Sequence, residues 1–150
     1  MDKPFELLIR VRYGECDAQQ VVFNARYADY VDLAITEYFR VLFGGFKELL
    51  KQGLDNQVVR LAIDWRSPAR FDDVLSLTVT TTRIGNTSYT MRVDFADRET
   101  AREIASAEVT YVLVSAGDHH KLTLPDDFRA RLDGGAPGRV IDQSGPVAAG

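Results

Sequence analysis

Soft metal ligands are scarce in this chain of 150 residues, which holds one cysteine and two histidines. Cys16 has no intrachain partner for a disulfide, and so few thiol and imidazole groups cannot build a typical structural zinc site. The chain is therefore expected to fold without bridges or metal, in a reducing cytoplasm. Long apolar runs are missing too. Nothing approaches the roughly 18 consecutive apolar residues of a membrane helix. Met1-Asp2-Lys3-Pro4 leads into a short alternating stretch rather than a signal-peptide core, so neither a membrane span nor cleavage is expected. Positive charge is in deficit, with 18 Lys and Arg against 22 Asp and Glu. The net charge of −4 argues against broad nucleic-acid binding, which draws on clustered cations to neutralise phosphates, but leaves room for a small anion held by a few arginines. What the chain does have is a 45% hydrophobic content, enough at this length to close one core.

Hydrophobic spacing divides the sequence. Phe5, Leu7, Ile9 and Val11 alternate with Glu6, Arg10 and Arg12, the period of a half-buried strand ending near Tyr13. From Tyr27 the apolar residues Tyr30, Val31, Ala34, Tyr38 and Leu42 recur at steps of three and four, which predicts one long helix. Asn24 suits its N-cap, and Gly44-Gly45 its stop. Phe46 to Leu50 predicts a short second helix. Alternation then returns in Val59 to Trp65, Leu75 to Val79, Tyr89 to Phe95 and Ala105 to Leu113, with Gly85-Asn86 as a hairpin turn. These connections are too short for helical crossovers, so the sheet should be antiparallel. The expectation is an α+β fold, one long helix packed on a curved antiparallel sheet, occupying residues 1–116. Periodicity alone also accepts a cystatin-like arrangement. Residues 117–150 read as a C-terminal extension, and its Gly-, Pro-, Ala- and Ser-rich end, from Gly134 to Gly150, is expected to be mobile.

One segment carries more than periodicity. Arg12-Tyr13-Gly14-Glu15-Cys16-Asp17-Ala18-Gln19-Gln20-Val21-Val22-Phe23-Asn24-Ala25-Arg26-Tyr27 resembles the signature of the 4-hydroxybenzoyl-CoA thioesterase family: an aromatic residue at a strand end, acidic residues spaced around Asp, a Val-aromatic pair, then a tyrosine opening the helix. The elements follow in the family order over roughly Phe5 to Val114. The resemblance implies a hotdog fold, an acyl-CoA substrate, no cofactor, and a homodimer or homotetramer with sites formed between subunits. There are departures. Asn24 stands where relatives carry His or Tyr, Ala18-Gln19-Gln20 replaces a glycine-containing stretch, and Arg26 precedes Tyr27 where the family has Asn.

The resemblance makes Asp17 the reacting carboxylate, as nucleophile or as general base on water. Thioester hydrolysis also needs donors for the developing oxyanion, and the N–H groups of Phe23, Asn24 and Ala25 at the positive end of the helix are placed to polarise the carbonyl, that of Asn24 above all. Tyr13 is weighed equally between strand-end packing and a role at the site. Gln19 and Gln20 supply amides that can orient water or substrate, while Val22, Phe23, Tyr27 and Tyr30 are candidates for the acyl pocket. Coenzyme A phosphates call for cations or N–H groups. Related enzymes use the turn after the position of Arg83, but Gly85-Asn86-Thr87-Ser88 lacks their charges, so Arg66, Arg70 or a partner chain are the alternatives.

Other polar residues read more plainly. Cys16 has a carboxylate beside it and no histidine near in sequence, which suits packing rather than nucleophilic attack. Glu37 reads as a paired helix residue and His119-His120 as part of a loop. Two competing activities share this pattern, a noncatalytic acyl-CoA-binding protein and a hotdog hydratase or dehydratase. The second would need a histidine near the helix start, and none is there.

Overall fold

The computed structural model describes residues 3–146, so residues 147–150 at the end of the expected mobile tail lie outside the described part. The first strand, β1 (Phe5–Arg10), turns through a single 3₁₀ turn at Tyr13–Glu15 and a short loop into α1 (Arg26–Phe43), followed by α2 (Phe46–Lys51). Then come β2 (Leu54–Trp65), β3 (Val74–Ile84), β4 (Ser88–Asp97) and β5 (Glu103–Ser115). A third helix, α3 (Asp126–Gly134), and a short strand, β6 (Val140–Asp142), complete the order. The six strands form one sheet in the order β2-β5-β4-β3-β1-β6. Four of its pairings are antiparallel, and β6 joins β1 in parallel. A curved sheet wrapped against one long helix is the hotdog fold that the resemblance implied.

Alternation decides which side of each strand meets the helix. Leu75, Leu77 and Val79 of β3, Tyr89, Met91, Val93 and Phe95 of β4, and Ala105, Ala107, Val109, Tyr111 and Leu113 of β5 are all buried. Facing them, α1 buries the stripe Tyr27, Tyr30, Val31, Ala34, Ile35, Tyr38, Phe39 and Leu42. Its phenols can be buried because each finds a partner. Tyr38 bonds Thr81 at 2.9 Å, Tyr27 accepts the Ala69 N–H at 3.3 Å, and Tyr30 donates to Glu15 at 2.8 Å. Desolvation pushes the titration of all three above the ordinary phenol range. Among the described residues no helix is long and apolar enough to cross a membrane.

Some boundaries differ from those the spacing predicts. β1 stops at Arg10, and Val11 and Arg12 lead out of the strand into the 3₁₀ turn that opens at Tyr13. The N-cap of α1 is Ala25, with no side-chain cap bond, instead of Asn24. The chain approaches α1 through a turn in which the Arg26 N–H donates to the Phe23 carbonyl and the Tyr27 N–H to that of Asn24, so carbonyls do the work of a cap side chain. Gly44 ends the helix as expected, at φ 82°, a left-handed conformation that favours glycine. Beyond Gly117, where no periodic signal was found, α3 buries Phe128 and Leu132, and β6 pairs with Glu6 to Leu8.

Candidate active site

Asp17 sits near the tip of a tight loop between β1 and α1. The two arms of this loop are joined by successive rungs: the Phe23 N–H donates to the Glu15 carbonyl at 2.9 Å, Cys16 bridges to Val22, and the Asp17 N–H donates to the Val21 carbonyl at 2.9 Å. Closing the tip, the Gln20 N–H returns to the Asp17 carbonyl and Gln20 takes φ 67°. A second strip of chain, between β2 and β3, holds the loop from outside through the Val22 N–H to the Ala69 carbonyl and a bridge from Val21 to Arg70.

The Asp17 carboxylate is half engaged. Oδ1 accepts the Gln19 N–H at 2.8 Å, while Oδ2 takes no hydrogen bond among the described residues. One bond fixes the orientation and one oxygen stays available, an arrangement suited to attack on carbon or to polarising a water. Asp17 lines a cavity of about 370 Å³ together with Tyr13, Cys16, Gln20 and Phe71. Tyr13 is 82% exposed and meets Phe71, itself 52% exposed, edge to face with centroids 5.8 Å apart. Both rings present apolar surface to solvent beside a carboxylate, which is expensive unless a ligand or another chain covers it. Burial, with the neighbouring carboxylates of Glu15, Asp17 and Asp73, pushes the Cys16 thiol up, so it is a poor thiolate source at neutral pH.

Of the three N–H groups singled out at the helix start, that of Phe23 is spent on Glu15. Those of Asn24 and Ala25 donate to no acceptor among the described residues. They follow directly on the Glu15–Phe23 rung, so the Asp17 carboxylate and these amides ride on opposite arms of one hairpin. Behind it, Glu15 is buried, with Oε1 accepting the Arg12 N–H and the Tyr30 hydroxyl, both at 2.8 Å, and Oε2 accepting the Arg12 guanidinium at 2.8 and 3.1 Å. Desolvation pushes this carboxyl upward, but those bonds and the Arg12 charge outweigh it and hold Glu15 below the ordinary carboxylate range.

The remaining sequence candidates divide between places. Val22, Tyr27 and Tyr30 are core residues of the chain, whereas Gln19, Gln20 and Phe23 are exposed on the loop. Arg66 is engaged with Ser106 at 3.1 Å and Glu103 at 3.7 Å. Arg83 bonds Ser88 across the β3–β4 turn at 3.0 Å. The carbonyls of Gly85, Asn86 and Thr87 accept bonds from Arg129, Leu124 and Leu113, so later parts of the chain anchor this turn. It lies at the opposite end of β3 from Asp17, across 11 residues, or about 35 Å at the rise of an extended strand. Within one chain the turn and Asp17 therefore do not meet.

Glu37 pairs with Arg40 at 3.2 Å. His120 bonds Asp118 at 2.6 Å on an exposed turn after β5, and hydrogen bonds from Ser115 and His120 pull that aspartate down to about 2. Neither group borders the Asp17 cavity. Phe71 escaped the sequence reading because its loop has no periodicity. A bulky aromatic between Pro68 and the Asp72-Asp73 pair was the available signal.

The chain has counterparts among known proteins. Residues 11–132 match the Thioesterase-like superfamily. The acyl-CoA thioester hydrolase YbgC of Escherichia coli O6:H1 is 30% identical over 130 residues, covering 85% of this chain and 95% of that protein. The acyl-CoA thioesterase YbgC of Haemophilus influenzae is 41% identical over 76 residues, 50% of this chain and 56% of that protein, so that this match spans about half of each. A thioesterase-superfamily structure from Jannaschia sp. CCS1 superposes with a TM-score of 0.84 at 26% identity, over 92% of this chain and 96% of that one. The 1,4-dihydroxy-2-naphthoyl-CoA thioesterase Slr0204 of Synechocystis gives 0.78 at 19% identity, over 85% and 94%, a likeness of fold alone. With its signature loop, its hotdog architecture and these kinships, the chain belongs to the thioesterase-like superfamily of thioester hydrolases.

Proposed function

We propose that this protein is a cytoplasmic acyl-CoA thioesterase, releasing a free acid and coenzyme A, in which Asp17 acts on the thioester carbonyl or on an attacking water. The observation that carries this reading is an Asp17 oxygen and N–H groups at Asn24 and Ala25 that have no partner among the described residues, set on two arms of one hairpin, with the carboxylate lining an open cavity. As attack proceeds, negative charge grows on the carbonyl oxygen. The Asn24 N–H stabilises it, aided by the dipole of α1, and needs no reorganisation to do so. With Asp17 as base, collapse of the tetrahedral species breaks the carbon–sulfur bond, leaves the acyl group as the acid and expels the thiolate, which receives the proton Asp17 took from water; with Asp17 as nucleophile, collapse leaves a mixed anhydride that water hydrolyses, freeing the acid and Asp17. Replacing a His or Tyr by Asn at position 24 does not disturb a donor that belongs to the main chain. This chemistry requires no metal or organic cofactor.

A homodimer completes the site. β2 is an edge strand, and Val58, Val59, Leu61 and Trp65 on it are exposed. Its Trp65 end lies toward the Asp17 loop, with Trp65 against Tyr27 at 5.8 Å, whereas its Leu54 end pairs with Ser115 near the β3–β4 turn. Two-fold antiparallel pairing of two β2 strands sets the first end of one copy beside the second end of the other. Asp17 and the residues from Arg83 to Ser88 then come from different subunits, which supports a nucleotide contact that a single chain cannot make.

The test is thiol release from a panel of aromatic and aliphatic acyl-CoA esters. Asp17→Asn preserves the shape and the Gln19 bond and should cost about 10²–10⁴ in turnover. Native protein that binds these esters without releasing thiol would be the noncatalytic binder instead.

A further inference from the structure

Among the described residues, Glu15 is the buried carboxylate beside the site that the proposed chemistry leaves without a task. It is 7% exposed, yet it faces no substrate cavity shared with Asp17. Its connections reach in three directions. The side chain holds the end of the strand segment through the Arg12 N–H and guanidinium, and holds α1 through the Tyr30 hydroxyl. Its own carbonyl accepts the Phe23 N–H, the rung immediately before Asn24. Two residues further along the same arm stands Asp17.

Packing does not make these bonds redundant. Behind Glu15 lies a cavity of about 180 Å³, bordered by Ile9, Arg12, Tyr30, Leu33 and Gln143. This pocket is open to solvent, so on that side the loop is not backed by a close-packed element and directional bonds carry more of its positioning. An ion pair of this kind is also a weak source of net stability, since desolvation offsets much of its attraction. Its geometric effect is the larger one.

We propose that Glu15 is a positioning residue: by tying Arg12, Tyr30 and Phe23 to one point, it fixes the Asp17 carboxylate relative to the Asn24 N–H, and so governs turnover at a given site occupancy. This inference rests on the thioesterase reading above. Reacting groups displaced by about 1 Å lose rate by up to about 10²-fold while substrate binding, which uses other contacts, persists.

Saturation kinetics on the best acyl-CoA ester of the native enzyme test it, with Glu15→Gln and Tyr30→Phe as variants and Glu15→Asp as the conservative control. Glu15→Gln should lower kcat about 10- to 10²-fold with KM within about twofold, and Tyr30→Phe should lower kcat several-fold. Glu15→Asp, which keeps the charge, should recover part of the loss. Folded Glu15→Gln with native kcat, or a change confined to KM, overturns the inference. If Glu15→Gln does not fold, Tyr30→Phe decides, and native kcat there overturns it equally. Native protein without turnover on any ester removes the thioesterase reading and this inference with it, whereas native turnover with unaffected variants removes this inference alone.

Discussion

Phe128→Ala asks whether the segment after residue 116 is part of the domain or an appendage to it. Phe128 is 3% exposed, stacked on Phe43 with centroids 4.4 Å apart at 15° and set edge-on to Tyr89 at 5.5 Å. Truncating a buried phenylalanine to alanine costs about 3–5 kcal/mol, the lost transfer energy plus the cavity left behind. The lower end applies here, because a cavity of about 180 Å³ beside Phe43, Leu49, Leu54 and Phe128 already leaves that side of the ring loosely packed. Of a total near 3 kcal/mol, the two ring contacts account for about 1–2 kcal/mol. With a urea slope of about 2 kcal/mol per molar, the unfolding midpoint should fall by about 1.5 M. Equilibrium unfolding followed by far-ultraviolet circular dichroism measures this, at one fixed protein concentration because the proposed self-association would add to apparent stability. Phe128→Leu, which refills most of the volume but gives up both ring contacts, should lose about 1–2 kcal/mol. A midpoint moved by less than about 0.3 M, or a separate early transition for α3, would refute the reasoning and leave residues 1–116 as the independently folded unit.

Two further outcomes bear on the site. Val59→Lys with Leu61→Lys places like charges along the exposed β2 edge and should convert a dimer to monomers by sedimentation while abolishing turnover; a monomeric mass with full activity would end the shared-site proposal. Cys16→Ala should keep turnover within several-fold, and iodoacetamide should label the native thiol slowly at neutral pH and faster in alkali, since its surroundings favour the neutral form. Loss of all activity in Cys16→Ala would instead make the thiol the nucleophile.

The sheet was legible because period two is imposed by the pleat itself. Each inward residue of β3, β4 and β5 named by alternation is buried. The stripe on α1 was equally plain, and Gly44 marked its end. What failed were features decided by distant partners. Asn24 has the chemistry of a cap, but the helix starts one residue later, since the loop folding back on Glu15 sets how the chain arrives. α3 offers only Phe128 and Leu132, one i,i+4 pair, too short a pattern to separate from loop. β6 has three residues, and its pairing exists only because β1 lies beside it. At the site, Asp17 stood out through its neighbours in sequence, while Phe71 arrives from a loop more than fifty residues away and nothing local announces its arrival. Glu15 was visible as a letter in the motif, but its burial and its grip on Tyr30 depend on how α1 packs.

β6 bears on how many copies can assemble. A sheet with two open edges has two places to add a strand and can in principle grow without limit. Here the outer side of β1 is occupied by β6, whose three residues are followed closely by Gly145 and Pro146 and present too short a ladder to recruit another chain. Edge pairing is thereby reduced to a valence of one, through β2. In the proposed pairing through β2, a chain with a single such valence is consumed in forming a closed pair, so the same strand that invites association also terminates it.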